Sequence, residues 1–268
     1  RPDGESLRVS FGVLNLTQVG KTPNVLDESG EPFETGPLID QNGQYVRFAI
    51  MANQDMFNTI VSDGLYSKAG QQKFGKPANF AQPAGSKNTG AIMIKSSWKV
   101  MGGKDQASRF HTIQALVYTN PGEHEGVQAS CKLQTVGLVG LHIAHKTADE
   151  PQWVWSTFEH VDNVPVKGEP IDKSQYNFYN KDCSGDCDVN EPPARPWNPN
   201  NPHTPPSQIM REVALTASTK SLNARYQALL QQTYPGTVWA NYELISTQWP
   251  TNAKNPTDPT GNPAPSFL

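Results

Sequence analysis

Apolar and polar residues alternate along several stretches of this chain, and a period of two marks half-buried strands. Residues 7–16 (LRVSFGVLNL) and 45–51 (YVRFAIM) read this way, the second following a turn at Gln41-Asn42-Gly43. Residues 91–101 (AIMIKSSWKVM) and 109–118 (RFHTIQALVY) make a further pair around the turn Gly102-Gly103-Lys104-Asp105. Residues 131–145 and 152–161, joined by a polar turn near 148–151, are expected to be the central strands, and 238–249 (VWANYELISTQW) the last long one. The period changes to 3.6 in two places. Met56, Phe57, Ile60 and Val61 recur at helical spacing behind Asn53 or Asp55 as cap and end by Gly64, which predicts a short helix packed on the sheet. Leu222, Tyr226, Leu229 and Leu230 share one face of a second helix, capped by Ser218 or Thr219 and stopped at Pro235-Gly236.

Between these elements, residues 70–89 carry glycines, prolines and amides without a period, which predicts a loop of the kind that walls a site. Residues 168–206 are aromatic, proline-rich and acidic, and are expected to wrap the sheet as an ordered loop held by Trp197 and the cysteines. The fold class that follows is mainly β with a few short helices: an antiparallel sheet or β-sandwich with long proline-rich loops. One β-rich domain is expected over residues 1–268, with 250–268 an extended tail or linker.

Composition sharpens this picture. Hydrophobic residues make up 36% and charged residues 18% of the 268, against 23 prolines and 21 glycines, so much of the chain must be turn and loop. The formal charge is −3, with Lys and Arg scattered singly, and no basic stripe exists to follow a phosphate backbone. Nucleic acid is therefore not an expected partner. No apolar run reaches the roughly 20 residues that cross a bilayer; the best, 136–144, is broken by two glycines and His142. No transmembrane segment is expected. The chain starts at Arg1 without a charged start and apolar stretch, as a processed or trimmed chain would, and Asn, Gln, Thr, Trp and Pro outweigh Lys and Glu. Both features favour an exported protein, periplasmic or extracellular, in which the sequon Asn15-Leu16-Thr17 could carry glycan in a eukaryotic secretory host.

Three cysteines allow one disulfide. Cys183 and Cys187, in CSGDC, can bridge around a Ser-Gly turn in an oxidising compartment, and their spacing is neither the CxxC of a redox or zinc site nor the CxxCH of covalent haem. Cys131 is expected to be a buried thiol or the partner of one of that pair.

The chemistry-bearing residues concentrate in VGLVGLHIAHKTADEPQWVWSTFEHVDN, where His142, His145, Glu159 and His160 are of metal-ligand or acid/base type. Side chains alternate along a strand, so at most one residue from each strand can share a face, giving pairs such as His142 with His160 or His145 with Glu159. A catalytic transition-metal site needs a third ligand, for which His111, His124 and His203 are the candidates. The competing reading makes these hydrogen-bonded sheet histidines. Trp153 and Trp155, two apart, share a strand face with Thr157 and Glu159, either as core or as a platform for a sugar or flat ligand. Asp182, Asp186, Asp188 and Asn190 echo the opening of a calcium loop, but Glu191 stands where such a loop needs glycine, which favours a solvated acidic turn. Lys95, Lys99, Lys146 and Arg211 could meet an anion, although each reads first as a solvated rim charge.

The stretches NGQYVRFAIMAN, IKSSWKVM, VGLVGLHIAHKT, PQWVWSTFEHVDN and NYELISTQWP resemble a group of exported bacterial proteins often labelled cytochrome c-like. The resemblance spans roughly residues 37–268 and implies export, a redox neighbourhood and a haem-binding CxxCH segment beyond the point equivalent to PAPSFL. This chain has no CxxCH, so it carries no covalent haem itself. The resemblance transfers no catalytic residue. The leading expectation is a non-catalytic exported binding or structural domain, meeting a ligand or protein partner at Trp153, Trp155 and Glu159 and adjoining a haem module. The alternatives are a metal-dependent enzyme using His142 or His145 with Glu159 or His160, and a glycan-binding or glycan-active β-sandwich.

Overall fold

Alternation becomes strand wherever neighbouring segments can exchange backbone hydrogen bonds, and the computed structural model shows which segments do so. It describes residues 14–16, 37–84, 89–119, 130–173, 176–185, 187–191, 206–252 and 260–264. The fold is mainly β with a few helices. Its strands are β1 (Leu14–Leu16), β2 (Arg47–Ala52), β3 (Ile92–Val100), β4 (Thr112–Thr119), β5 (Ser130–His145), β6 (Val154–His160), β7 (Tyr242–Asn252) and β8 (Thr260–Ala264). The helices are α1 (Gln54–Ser62), α2 (Lys68–Phe74) and α3 (Ala217–Thr233). β4 with β5, β5 with β6, β6 with β7 and β7 with β8 pair antiparallel, and β1 with β4 parallel.

The chain divides into two compact units. Unit 1 comprises Arg1–Ala49, Trp98–Leu138 and Asp162–Val213; unit 2 comprises Ile50–Ser97, Val139–Val161 and Ala214–Leu268. In unit 1, β4 pairs with the first half of β5, from Thr112 opposite Gly137 to Thr119 opposite Ser130. Ile39, Val46, Phe110, Val117, Val136 and Phe178 are buried there. A Cβ at Gly137 would lie 2.5 Å from Met101 Sδ and 3.3 Å from Phe110, so a larger residue there would have to displace the Met101 side chain. In unit 2 the second half of β5 pairs with β6, and β6 with β7, where a bulge falls between Thr157 and Phe158.

The helices depart from their expected roles. Asn53 caps α1 through its side chain, as the spacing predicts, and Gly64 ends the turn after it at a φ of 66°. Yet Phe57 and Val61 remain 54% and 48% exposed, so α1 does not bury its apolar stripe. Residues 70–74, the start of the expected loop, belong to α2, whose Ser67 cap bonds Gly70 N and whose Gly75 closes it in the left-handed region. Thr216, and not Ser218 or Thr219, caps α3. The face of α3 that meets the sheet is polar. Asn223 donates its amide to Leu244 O at 2.9 Å and accepts Leu244 N at 2.8 Å, while Gln227 donates to Tyr242 O. Of the four residues read as one apolar face, Leu222, Tyr226 and Leu229 are exposed and Leu230 half-buried, while Asn223 and Gln227 bond the strand edge. Residues 238–241 form a short 3-10 turn ahead of β7, and β8 pairs with the far end of β7 inside the stretch expected to be tail. Among the described residues no helix is long and apolar enough to cross a membrane.

Candidate functional site

In unit 2, the turn between β5 and β6 fixes which residues meet. Thr147 accepts Glu150 N on its hydroxyl at 3.0 Å and donates its backbone N–H to Glu150 O, which closes the turn. The register then sets Gly140 opposite Glu159, His142 opposite Thr157, Ala144 opposite Trp155 and His145 opposite Val154. Cross-strand partners share a face, so His142, Thr157, Trp155 and Glu159 lie on one side. His145 and His160 lie on the other, six positions apart along β6 (154 to 160), which is about 20 Å at about 3.4 Å per residue. The pairs that alternation left open, His142 with His160 and His145 with Glu159, are therefore not the ones formed.

The first face continues across β7, where Glu243 stands opposite Glu159, Ser246 opposite Thr157 and Gln248 opposite Trp155. On β3, Ser97 Oγ lies 3.4 Å from where a Gly140 Cβ would stand, which places Ser97 on this face. Lys95, two residues earlier, shares it. The result is a polar sheet surface. His142 is exposed, its Nδ1 2.9 Å from Thr157 Oγ1. Partial desolvation lowers the His142 pKa first and the nearby Lys95 charge lowers it further, so the imidazole is held neutral at pH 7. Burial lowers the Lys95 pKa as well.

Trp153 and Trp155 separate in environment although they are two residues apart. Trp155 is 39% exposed, beside an Ala144 that is fully buried. Trp153 is enclosed by the loop expected to wall a site: Phe80 packs on it with ring centroids 5.7 Å apart, and the Lys146 ammonium stands 5.6 Å from its centroid. Lys146 is 1% exposed, donates to Asn79 Oδ1 at 3.0 Å, and has its pKa lowered by burial, so it is no rim charge. The loop is tied down further by Gln82 to Thr147 O and by Thr89 O to His145 Nε2 at 2.7 Å. His145 is thus occupied in holding the loop. His160 is buried edge-on to Tyr242, at 5.1 Å between centroids.

Unit 1 holds a different polar cluster. Lys99, also 1% exposed and so no rim charge either, meets Asp40 at 2.9 Å and Asp105 at 2.7 Å, with Asn177 Oδ1 at 3.3 Å. The remaining lone pairs of Asp40 accept Asn42 N, Gln44 N and Asn42 Nδ2, and Asp105 accepts Gly102 N and Asn42 Nδ2. Sequence reasoning had no signal for this cluster, because its members are far apart in the chain. Also in unit 1, Asp162 pairs with Arg109 and Lys173, and Tyr176, donating to Asp172, has its pKa pushed up to about 12 by burial and then by that carboxylate.

Cys183 and Cys187 form a disulfide. Cys131 is outside it and exposed on β5, contrary to the buried thiol expected, because β5 is solvent-facing at Cys131, Lys132 and Leu133. His111 packs near Trp98, while His124, His203, Trp197 and Asp186 lie outside the described residues. Among the described residues, no three His, Cys, Asp or Glu side chains converge as a metal site would require. Glu243 is the site residue that sequence reasoning missed. Alternation in YELIST places it on a face, but only the register brings it to Glu159.

No protein-family model matches the chain, and neither does any curated protein or solved structure.

Proposed function

We propose that this protein is a non-catalytic binding domain whose ligand surface is the polar face of β5, β6 and β7 in unit 2. The observation that carries the reading is exposure in the interior of a sheet. β5 and β6 each have strand neighbours on both sides, yet His142 and Trp155 reach solvent from them. Leaving indole in water forgoes about 25 cal/mol for each Å² of apolar area, and an exposed aromatic among hydrogen-bonding groups is the usual make-up of a recognition surface. The metal-dependent enzyme draws less support, because the register sets His145 and His160 far apart and surrounds His142 with hydroxyl and lysine instead of further ligands. The Cys183–Cys187 bridge supports an oxidising, exported setting, periplasmic or extracellular. A haem module as neighbour rests on the resemblance to cytochrome c-like proteins alone.

A thermal-shift screen of the full 268-residue chain tests the reading, with oligosaccharides, aromatic acids and short peptides as probes. At least one class is expected to raise the Tm of the wild type and to leave Trp155→Ala unchanged. If no class raises the Tm, or if the shift is the same in Trp155→Ala, this face is not the binding surface.

A further inference from the structure

Resting on that reading, we infer that the ligand is a neutral hexose oligosaccharide, seated along β6 with one ring on Trp155. The face supplies what such a ligand needs and little that other classes need. Trp155 offers a flat apolar surface, which matches the C–H face of a pyranose. Around it stand groups that both donate and accept: the Gln248 amide opposite the indole, the Thr157 and Ser246 hydroxyls opposite each other, and the imidazole of His142. A ring of sugar hydroxyls is likewise donor and acceptor at every position, so these partners satisfy it without a charged group at the centre.

Charge selects against the competing ligands. Glu159 and Glu243 stand opposite each other on this face and Lys95 lies on it too, so among these three residues carboxylates outnumber the ammonium two to one. Phosphorylated, sulfated and uronic ligands are repelled by that balance. An apolar peptide would need a broad hydrophobic patch, whereas Trp155 is the aromatic side chain that β6 presents among Trp155, Thr157 and Glu159. The length also fits a chain of sugars: from Trp155 to Glu159 the face runs about 14 Å, at about 3.4 Å per residue, enough for more than one ring.

The test is titration of the full chain with cellopentaose, maltopentaose and mannopentaose, read by tryptophan fluorescence and calorimetry, with pentagalacturonate as the acidic comparison. At least one neutral oligosaccharide is expected to bind, with affinity falling at least tenfold in Trp155→Ala and in Gln248→Ala, and with pentagalacturonate at least tenfold weaker. A second aromatic variant, Trp155→Phe, is expected to keep more of the affinity than Trp155→Ala and guards against misfolding of the smaller side chain. Failure of every neutral oligosaccharide to bind at millimolar concentration overturns the sugar assignment. If an aromatic acid or peptide gives a Trp155-dependent thermal shift in that case, the binding face stands and only the ligand class is wrong; if nothing shifts the Tm, both fall.

Discussion

Two polar clusters in this molecule both contain ammonium and carboxylate groups but stand in opposite relation to solvent. Around Lys99 in unit 1, ammonium and carboxylates are almost wholly removed from water, and every lone pair that matters is taken by a named donor. Around His142 in unit 2, imidazole, hydroxyl, carboxylate and indole share a sheet face on which His142 and Trp155 are exposed and Thr157, Glu159 and Glu243 half-buried. A buried charge without its partners is costly, so the first arrangement is fixed and serves the fold. Groups still in contact with water can exchange it for a ligand, so the second is available for recognition. The difference teaches that polarity inside a β-rich protein points to function only where solvent reaches it.

Breaking the buried cluster should have the largest effect. Lys99→Met leaves Asp40 and Asp105 buried without their cation, and a loss of about 3–5 kcal/mol is expected by chemical denaturation. Oligosaccharide affinity, measured where the variant is still folded, should stay within twofold. Gly90→Ala comes next. Gly90 has a φ of 79°, and a Cβ there would lie 2.6 Å from Lys146 O and 2.7 Å from Pro83, so a loss of about 1–3 kcal/mol is expected in the same measurement. Trp155→Ala should reverse the pattern, costing about 1 kcal/mol or less of cross-strand packing while abolishing the Trp155-dependent binding.

The smallest effect concerns pH. Folding lowers the His142 pKa below its ordinary value of 6.5, so over the interval between those two values the unfolded chain binds more protons than the folded one. Stability therefore declines as pH falls from about 6.5 towards the folded value, and is fully present above 6.5. His142→Gln should flatten this part of the stability–pH curve, and an NMR titration of the wild type should place the His142 midpoint below 6.5. A midpoint at or above that value would show that the ring is not desolvated as described.

Much of the fold was legible in the sequence because strand alternation and helix caps are local signals. Asn53 ahead of Met56, the turn at Gly43 and the adjacency of the end of 131–145 to 152–161 could be read from spacing, whereas the first half of β5 pairs with β4 instead. What was not legible depends on position in three dimensions. The phase of β5 against β6 is set by the Thr147–Glu150 turn, and it decides that His142 meets Thr157 and that His145 holds Thr89. Residues 68–74 carry no apolar period, so their helix showed only in its Ser67 and Gly75 ends. Trp153 and Trp155 share a face in the sequence pattern, and only the packing of Phe80 and Lys146 leaves Trp153 half-buried while Trp155 stays exposed. The inversion of α3 escaped because hydrophobic periodicity assumes that a helix docks through its apolar stripe, whereas this one docks through Asn223 and Gln227.

That inversion has a consequence for how the molecule behaves among copies of itself. A strand whose outer N–H and C=O groups face water is a template on which another chain can polymerise, one layer after the next. Asn223, by occupying both backbone groups of Leu244 with a single side chain, works as a chain terminator in the polymer chemist's sense. At Leu244 it fills the growth site with a unit that offers no new end to extend.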